Sequence, residues 1–174
     1  MSETFEEMLT GGHPNSLGRT VEVVETVLAN PVRFDELFAC YRSDDPVVRL
    51  RTSNALKRVE AERRDLVLPV ADALIDEIGV LDQPSAQWTV AQLLGRLTPD
   101  LTAAQRTRAT KRLKTYLDGA EDWIVLTATM QTLGEWAAAD SALRRWLAPR
   151  LERLADDERR SVAGRARKVK VALG

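Results

Sequence analysis

The chain has 174 residues with 25 Lys and Arg against 26 Asp and Glu, and its net charge of -1 excludes a generally basic, histone-like nucleic-acid binder. Its single cysteine and single histidine exclude a disulfide framework and the usual zinc sites, and they argue against Ser-His-Asp chemistry. The acidic N-terminal stretch, and the lack of any apolar run near ~20 residues, predict a cytoplasmic protein with no signal peptide and no membrane contact. We therefore expect no catalytic residues, no cofactor and no metal.

Helical spacing of apolar residues recurs along the chain, whereas alternating strand patterns are nearly absent. After an N-terminal tail at residues 1–15, which we expect to be flexible, the spacing predicts a capping helix over 16–29. Asn30-Pro31 ends that helix, because the residue before a proline leaves the α region. The next two helices are predicted over 31–42 and from Pro46 onward.

The same period continues to the end of the chain. Each later helix opens near an Asp, Ser or Thr cap, and six such helices complete a predicted set of nine. Short loops between them place successive helices antiparallel. The prediction is a single repeat domain over 16–174, in which the capping helix precedes four helix pairs at about 31–60, 65–98, 102–137 and 140–173.

The pairs form an internal repeat of about 40 residues. The second helices of the first three pairs align at offsets of 38 and 39 residues, which place Leu56, Leu94 and Leu133 at one core position. Two first helices align through Pro69 and Pro149, which are 80 residues apart and are each followed five residues later by a leucine. Because a proline inside a helix favours a kink, the alignment predicts a bend built into the first helix of a pair.

The segment Asp45-Pro46-Val47-Val48-Arg49, followed by Ala55-Leu56, resembles the signature of the HEAT-repeat family. Pro69 and Pro149 resemble the kink position of that family. The resemblance covers nearly the whole chain. It implies an all-α fold, a right-handed α-solenoid of about four antiparallel helix pairs plus an N-terminal capping helix.

A ladder of Asp and Arg side chains links successive repeats in the HEAT family. The second repeat of this chain has Gln83 and Gln87 at those two positions, and the third repeat keeps Asp122 but has Leu126 in place of the arginine. The resemblance therefore implies an interrupted ladder and a less regular superhelix.

The resemblance also implies a binding function, because such solenoids bind partners on the concave face formed by their second helices. We predict a non-enzymatic scaffold or adaptor that binds another protein on this face. A solvated helix surface is the alternative interpretation of the same side chains. The candidate binding residues are Arg51, Asn54, Lys57, Arg58 and Trp123.

Positive charge concentrates toward the C-terminus, where residues 140–174 carry 10 basic and 5 acidic side chains. A patch of this kind suits phosphates or an acidic protein. A polar terminal cap, which a solenoid needs for solubility, explains the same charges. The predicted C-terminal patch comprises Arg160, Arg165, Arg167, Lys168 and Lys170, and a second basic cluster comprises Arg106, Arg108, Lys111, Arg112 and Lys114.

Nucleic-acid binding is the alternative function, because some DNA glycosylases for alkylated bases resemble HEAT repeats and use aromatic and carboxylate residues in a basic groove. Asp122 and Trp123 would be the counterparts here, together with the arginines and lysine of the first candidate face, by residue type only. Parts of bilin lyases are also similar to HEAT repeats, although no residue here selects that function. Cys40 is predicted to be a buried apolar side chain, and His13 to be exposed and inert.

Overall fold

The computed structural model describes residues 3–174, and no strand occurs among them, so the all-α prediction is confirmed. Each of the nine predicted helices has a helical counterpart within a few residues of its predicted position. Short 3-10 turns extend or interrupt several of them. The α-helices of the described residues are α1 (Phe5–Leu9), α2 (Thr20–Ala29), α3 (Phe34–Ala39), α4 (Pro46–Glu62), α5 (Arg64–Val67), α6 (Ala71–Asp76), α7 (Pro84–Leu97), α8 (Ala103–Gly119), α9 (Trp123–Ala137), α10 (Ser141–Ala155) and α11 (Arg160–Leu173).

The chain divides into two compact units, and the boundary between Thr89 and Val90 falls inside α7. In the first unit α4 packs against α1, α2, α3 and α5. In the second unit α9 packs against α8, α10 and α11. The single repeat domain over 16–174 stays a prediction.

Side-chain caps explain why the helix starts were visible in the sequence. Asp45 accepts a 2.8 Å hydrogen bond from the backbone N–H of Val47 at the start of α4. Asp122 caps α9 and Asp140 caps α10 in the same way. Each cap satisfies an amide that has no partner within the helix, which stabilises that end by about 1 kcal/mol.

The predicted flexible tail is wrong for residues 5–9. These residues form α1, which Thr4 and Glu7 cap reciprocally, and the side chains of Phe5 and Leu9 are fully buried. The Arg33 guanidinium lies 3.9 Å from the centre of the Phe5 ring. One helical turn with three apolar residues gives too little periodicity to distinguish it from an acidic tail, so the sequence pattern missed it.

The two aligned prolines occupy different local structures. Pro69 lies in the 3-10 turn Leu68–Val70, which divides one predicted helix into α5 and α6. Pro149 lies inside α10, which is assigned as one helix from Ser141 to Ala155. The break at Pro69 agrees with the predicted bend, because proline removes an amide donor and crowds the preceding turn.

Candidate binding surfaces

Arg51 does not lie on an exposed face, and its predicted role as a surface binding residue is wrong. Its side chain is 1% exposed, and its guanidinium enters a loop of the N-terminal segment. Gly18 has a φ of +52°, and a Cβ added there would lie 2.9 Å from Arg51 Cζ, so only glycine fits beside the guanidinium. The guanidinium donates hydrogen bonds to the backbone carbonyls of Leu9 (2.6 Å), Thr10 (3.3 Å), Gly11 (2.6 Å), His13 (3.2 Å) and Ser16 (3.1 Å).

The other predicted residues of this face are more accessible. Asn54 and Lys57 are half-buried, whereas Arg58 is exposed and donates a 2.7 Å hydrogen bond from Nε to Asn54 Oδ1. Trp123, at the first position of α9, is 48% exposed. Arg51 and Trp123 belong to different units, so the structure does not unite them in one described site.

The predicted interruption of the Asp-Arg ladder is only partial. Arg49 donates a 2.6 Å hydrogen bond from Nε to Gln83 Oε1 and a 2.5 Å bond from Nη1 to the carbonyl oxygen of Ser43. Gln83 also donates to the carbonyl oxygen of Pro46 at 3.0 Å. A neutral amide thus occupies the position expected for a carboxylate, and it still joins α4 to the loop before α7.

A groove lies on the second unit where α7, α9 and α11 meet, and we call it the α9 groove. It has a volume of about 390 Å³. Five of its lining residues belong to α9, three to α7 and one, an arginine, to α11. The lining residues are Gln92, Gly95, Arg96, Thr127, Ala128, Gln131, Thr132, Glu135 and Arg165.

Two glycines set how closely the three helices of the groove approach. A Cβ added to Gly95 of α7 would lie 2.7 Å from Thr132 Oγ1, and one added to Gly134 of α9 would lie 2.6 Å from Val169 Cγ1 of α11. Real Cβ atoms are not found at such distances. The two glycines are 39 residues apart in the chain, which is the predicted repeat offset. The α7–α9 contact and the α9–α11 contact therefore each place a glycine at the same position of the repeat.

A chain of polar side chains runs along the groove. Arg165 of α11 donates to the side-chain oxygen of Gln131, and the Gln131 amide nitrogen donates to Glu135. Below them, the buried Thr132 hydroxyl donates a 2.8 Å hydrogen bond to the carbonyl oxygen of Ala91 in α7. Gln131 thus uses one N–H and its carbonyl oxygen within the groove, between a cation and a carboxylate.

The predicted C-terminal basic patch is divided among several local environments. Arg165 lines the α9 groove, and Lys168 lines an adjoining cavity of about 170 Å³ with Val169 and Leu173. The other three members of the patch lie along α11, where two bond to other groups of the protein and one is exposed. Arg167 donates to the carbonyl oxygen of Ala155 at 2.7 Å, Lys170 pairs with Glu152 at 2.6 Å, and Arg160 is exposed.

Cys40 is buried, as predicted, and its thiol donates a 3.3 Å hydrogen bond to the carbonyl oxygen of Glu36. Burial, together with the nearby charges of Glu6 and Glu36, raises the pKa of the thiol to about 12. His13 is exposed, as predicted, and its Nδ1 accepts a 3.1 Å hydrogen bond from the backbone N–H of Asn15.

We expect the Cys40 thiol of the folded chain to react with iodoacetamide at least about tenfold more slowly than in the urea-unfolded chain at about pH 8. The thiolate is the nucleophile, and a raised pKa keeps its population low until the pH approaches that pKa. Mass spectrometry of alkylated protein over time measures both rates. Equal rates in the two states would show that the thiol is accessible in the folded chain.

Among residues 3–174, no three His, Cys, Asp or Glu side chains converge closely enough to hold a metal ion. None of the helices in this described part of the chain combines the length and the apolar composition needed to cross a bilayer.

The described residues define an all-helical protein whose second unit carries a polar groove between helices that approach closely at glycines. Comparison with family models, with curated proteins and with solved structures gives no match. The HEAT-repeat resemblance therefore stays a prediction.

Proposed function

We propose that the chain is a HEAT-like repeat protein that binds a segment of another protein in the α9 groove, without catalysing a reaction. The single observation that carries this proposal is the groove itself, lined mainly by polar residues, with its Arg165–Gln131–Glu135 chain.

The repeat part of the proposal is supported by packing inside the second unit. Helix α8 packs against α9 and α10 packs against α11, as the members of two antiparallel pairs would. Helix α9 also packs against α11, and Gly134 closely approaches Val169 of α11, much as the equivalent Gly95 approaches Thr132 of α9. Stacking of this kind lets each pair bury an apolar face that it cannot bury alone.

The chemistry of the groove suits a polypeptide. Besides its bonds to Glu135 and Arg165, the Gln131 side chain has a second N–H and a second acceptor lone pair, and a peptide backbone offers the matching groups. Arg165 and Glu135, at the two ends of the same chain, can pair with side chains of either charge on the ligand.

Trp123 stays a candidate anchor for the same partner. It is half exposed at the N-terminal end of α9, the helix that supplies most of the groove lining. Exposed tryptophan often contributes strongly to binding, because it buries a large apolar area at a small entropic cost.

Filling the groove is the direct test. The Gln131→Trp variant places a large ring in the groove, and we expect it to weaken binding of a captured partner by about tenfold or more. Thr115→Trp, at an exposed position of α8 outside the groove, is the matched control and should leave affinity within about twofold. The partner is first captured on the immobilised full chain, then purified and titrated against each variant by calorimetry.

A photo-crosslinking residue placed at Thr127 supplies an independent measurement, because it reports whether the same purified partner lies against α9. Crosslinks to the partner that disappear in the Gln131→Trp background support the groove. Equal affinity of the two tryptophan variants, or capture that nuclease treatment abolishes, would contradict the proposal, and the second result would favour the nucleic-acid alternative.

A further inference from the structure

The two units carry opposite net charges. Residues up to Thr89 contain 9 Lys and Arg against 16 Asp and Glu, a net charge of -7, whereas residues from Val90 contain 16 against 10, a net charge of +6. The excess of positive charge therefore begins well before the C-terminal patch that the sequence pattern singled out. Helix α8 supplies much of it, with five cationic side chains and, before Asp118, no carboxylate.

A cleft between α8 and the start of α10 collects several of these charges, and we call it the α8–α10 cleft. Its volume is about 420 Å³. Three of its lining side chains are cationic and one is a carboxylate. The lining residues are Arg106, Thr107, Thr110, Lys111, Lys114, Asp140 and Leu143.

The one carboxylate of the cleft is engaged by the protein. Asp140 accepts a 2.9 Å hydrogen bond from the backbone N–H of Leu143 as the N-cap of α10. Within residues 3–174, neither Arg106 nor Lys111 forms an ion pair. Burial lowers the pKa of Arg106, and the nearby charge of Asp140 offsets part of that effect. The cleft thus holds more positive charge than its own residues neutralise.

Aromatic rings fix the positions of two of the cations. The Arg106 guanidinium lies 3.8 Å from the centre of the Trp136 ring, and Lys114 Nζ lies 4.7 Å from the centre of the Trp146 ring. Arg150 covers the same Trp146 ring at 3.7 Å. Cation–π contact restrains long side chains that would otherwise be mobile, so less entropy is lost when they bind an anion.

We propose that the α8–α10 cleft binds an acidic segment of a partner protein, whose Asp and Glu side chains pair with Arg106, Lys111 and Lys114. Leu143 and the aliphatic stems of the lysines give the cleft an apolar wall for the rest of that segment. The cleft shares no lining residue with the α9 groove, so the two surfaces can be tested separately.

The observations favour a polypeptide over nucleic acid as the anionic ligand. Single-stranded nucleic acid is held by stacking of bases on aromatic rings, and here the Trp136 and Trp146 rings are already covered by cations. A short acidic segment satisfies the cations of the cleft without extending beyond it.

The test uses the full chain and a short fluorescein-labelled peptide of Glu and Asp with interspersed Leu, followed by fluorescence anisotropy at low and at physiological salt. We expect salt-sensitive binding that the Lys111→Glu/Lys114→Glu variant weakens by about tenfold or more. Arg42→Glu/Arg153→Glu makes the same change in net charge at exposed positions outside the cleft, and should alter affinity by about twofold or less. Lys111→Gln/Lys114→Gln replaces the reversal variant if circular dichroism shows that the latter is unfolded.

Three results would overturn the proposal. The first is that the peptide fails to bind at low salt, and the second is that the two double variants weaken peptide binding equally. The third is that a labelled single-stranded oligonucleotide of equal charge binds more tightly than the peptide and loses that affinity in the Lys111→Glu/Lys114→Glu variant. The last result would assign the cleft to nucleic acid. Because none of these variants touches the α9 groove, each outcome is separate from the test of the proposed function.

Discussion

Replacing Arg51 with methionine is expected to lower the free energy of unfolding by about 3 kcal/mol. The substitution removes the guanidinium that holds the carbonyl oxygens of residues 9–16, of which the Leu9 oxygen makes a buried 2.6 Å bond. A buried carbonyl left without a donor loses about 1–3 kcal/mol, and weaker losses at the part-buried carbonyls add to this. Urea unfolding, followed by circular dichroism, measures the change.

Two matched variants show whether the effect comes from this network. Arg58→Met removes an exposed arginine of the same helix and should change stability by no more than about 0.5 kcal/mol. Arg51→Lys keeps the charge, but a single ammonium cannot replace the forked donors, so its stability should lie between wild type and Arg51→Met. In Arg51→Met, amide hydrogen exchange should accelerate at residues 10–18 before it does in α9. Equal stability of Arg51→Met and Arg58→Met would contradict the structural role.

The helix positions could be predicted because the local signals for a helix, which are capping residues and apolar spacing, agree with the packing of the folded chain. Asp45, Asp122 and Asp140 each precede an apolar period of helical spacing, and each caps a helix in the structure. Capping and periodicity are local properties, so they can be read without knowing what the helix packs against.

Helical spacing could indicate that Arg51 is buried, but not which groups it contacts. Arg51 falls three residues after Val48 and four before Ala55, which places it on the buried stripe of α4. That placement indicates that the Arg51 side chain is buried rather than solvated. The partners of Arg51 are backbone carbonyls of a glycine-rich loop, with positive φ at Gly11, Gly12 and Gly18. Because every residue has a backbone carbonyl, the pattern of side chains in the sequence does not show which carbonyls accept these hydrogen bonds.

The α9 groove was partly foreseeable. The 39-residue offset that aligns Leu94 with Leu133 also aligns Gly95 with Gly134, so the paired glycines were present in the sequence. Their meaning required the distances to Thr132 and Val169, which belong to other helices. Spacing along one chain identifies equivalent positions, whereas only the packed structure shows which of them are in contact.

Replacing Gly134 with alanine is expected to destabilise the protein by about 1–2 kcal/mol. The added methyl would lie 2.6 Å from Val169 Cγ1, and overpacking of this kind loses about 1–3 kcal/mol. The higher helix propensity of alanine, about 1 kcal/mol, offsets part of that loss. Val169 cannot turn away easily, because a valine in a helix strongly prefers one side-chain rotamer and this one is buried.

Gly164 in α11 provides the control for this prediction, because a Cβ added there meets no atom within 4 Å. Gly164→Ala should therefore raise stability by about 0.5–1 kcal/mol, the opposite sign from Gly134→Ala. In the Val169→Ala background the clash is removed, so Gly134→Ala should become neutral or stabilising there. Thermal and urea unfolding of the four variants and wild type complete the cycle. If Gly134→Ala and Gly164→Ala stabilise equally, α9 and α11 do not approach as closely as the Gly134–Val169 contact requires.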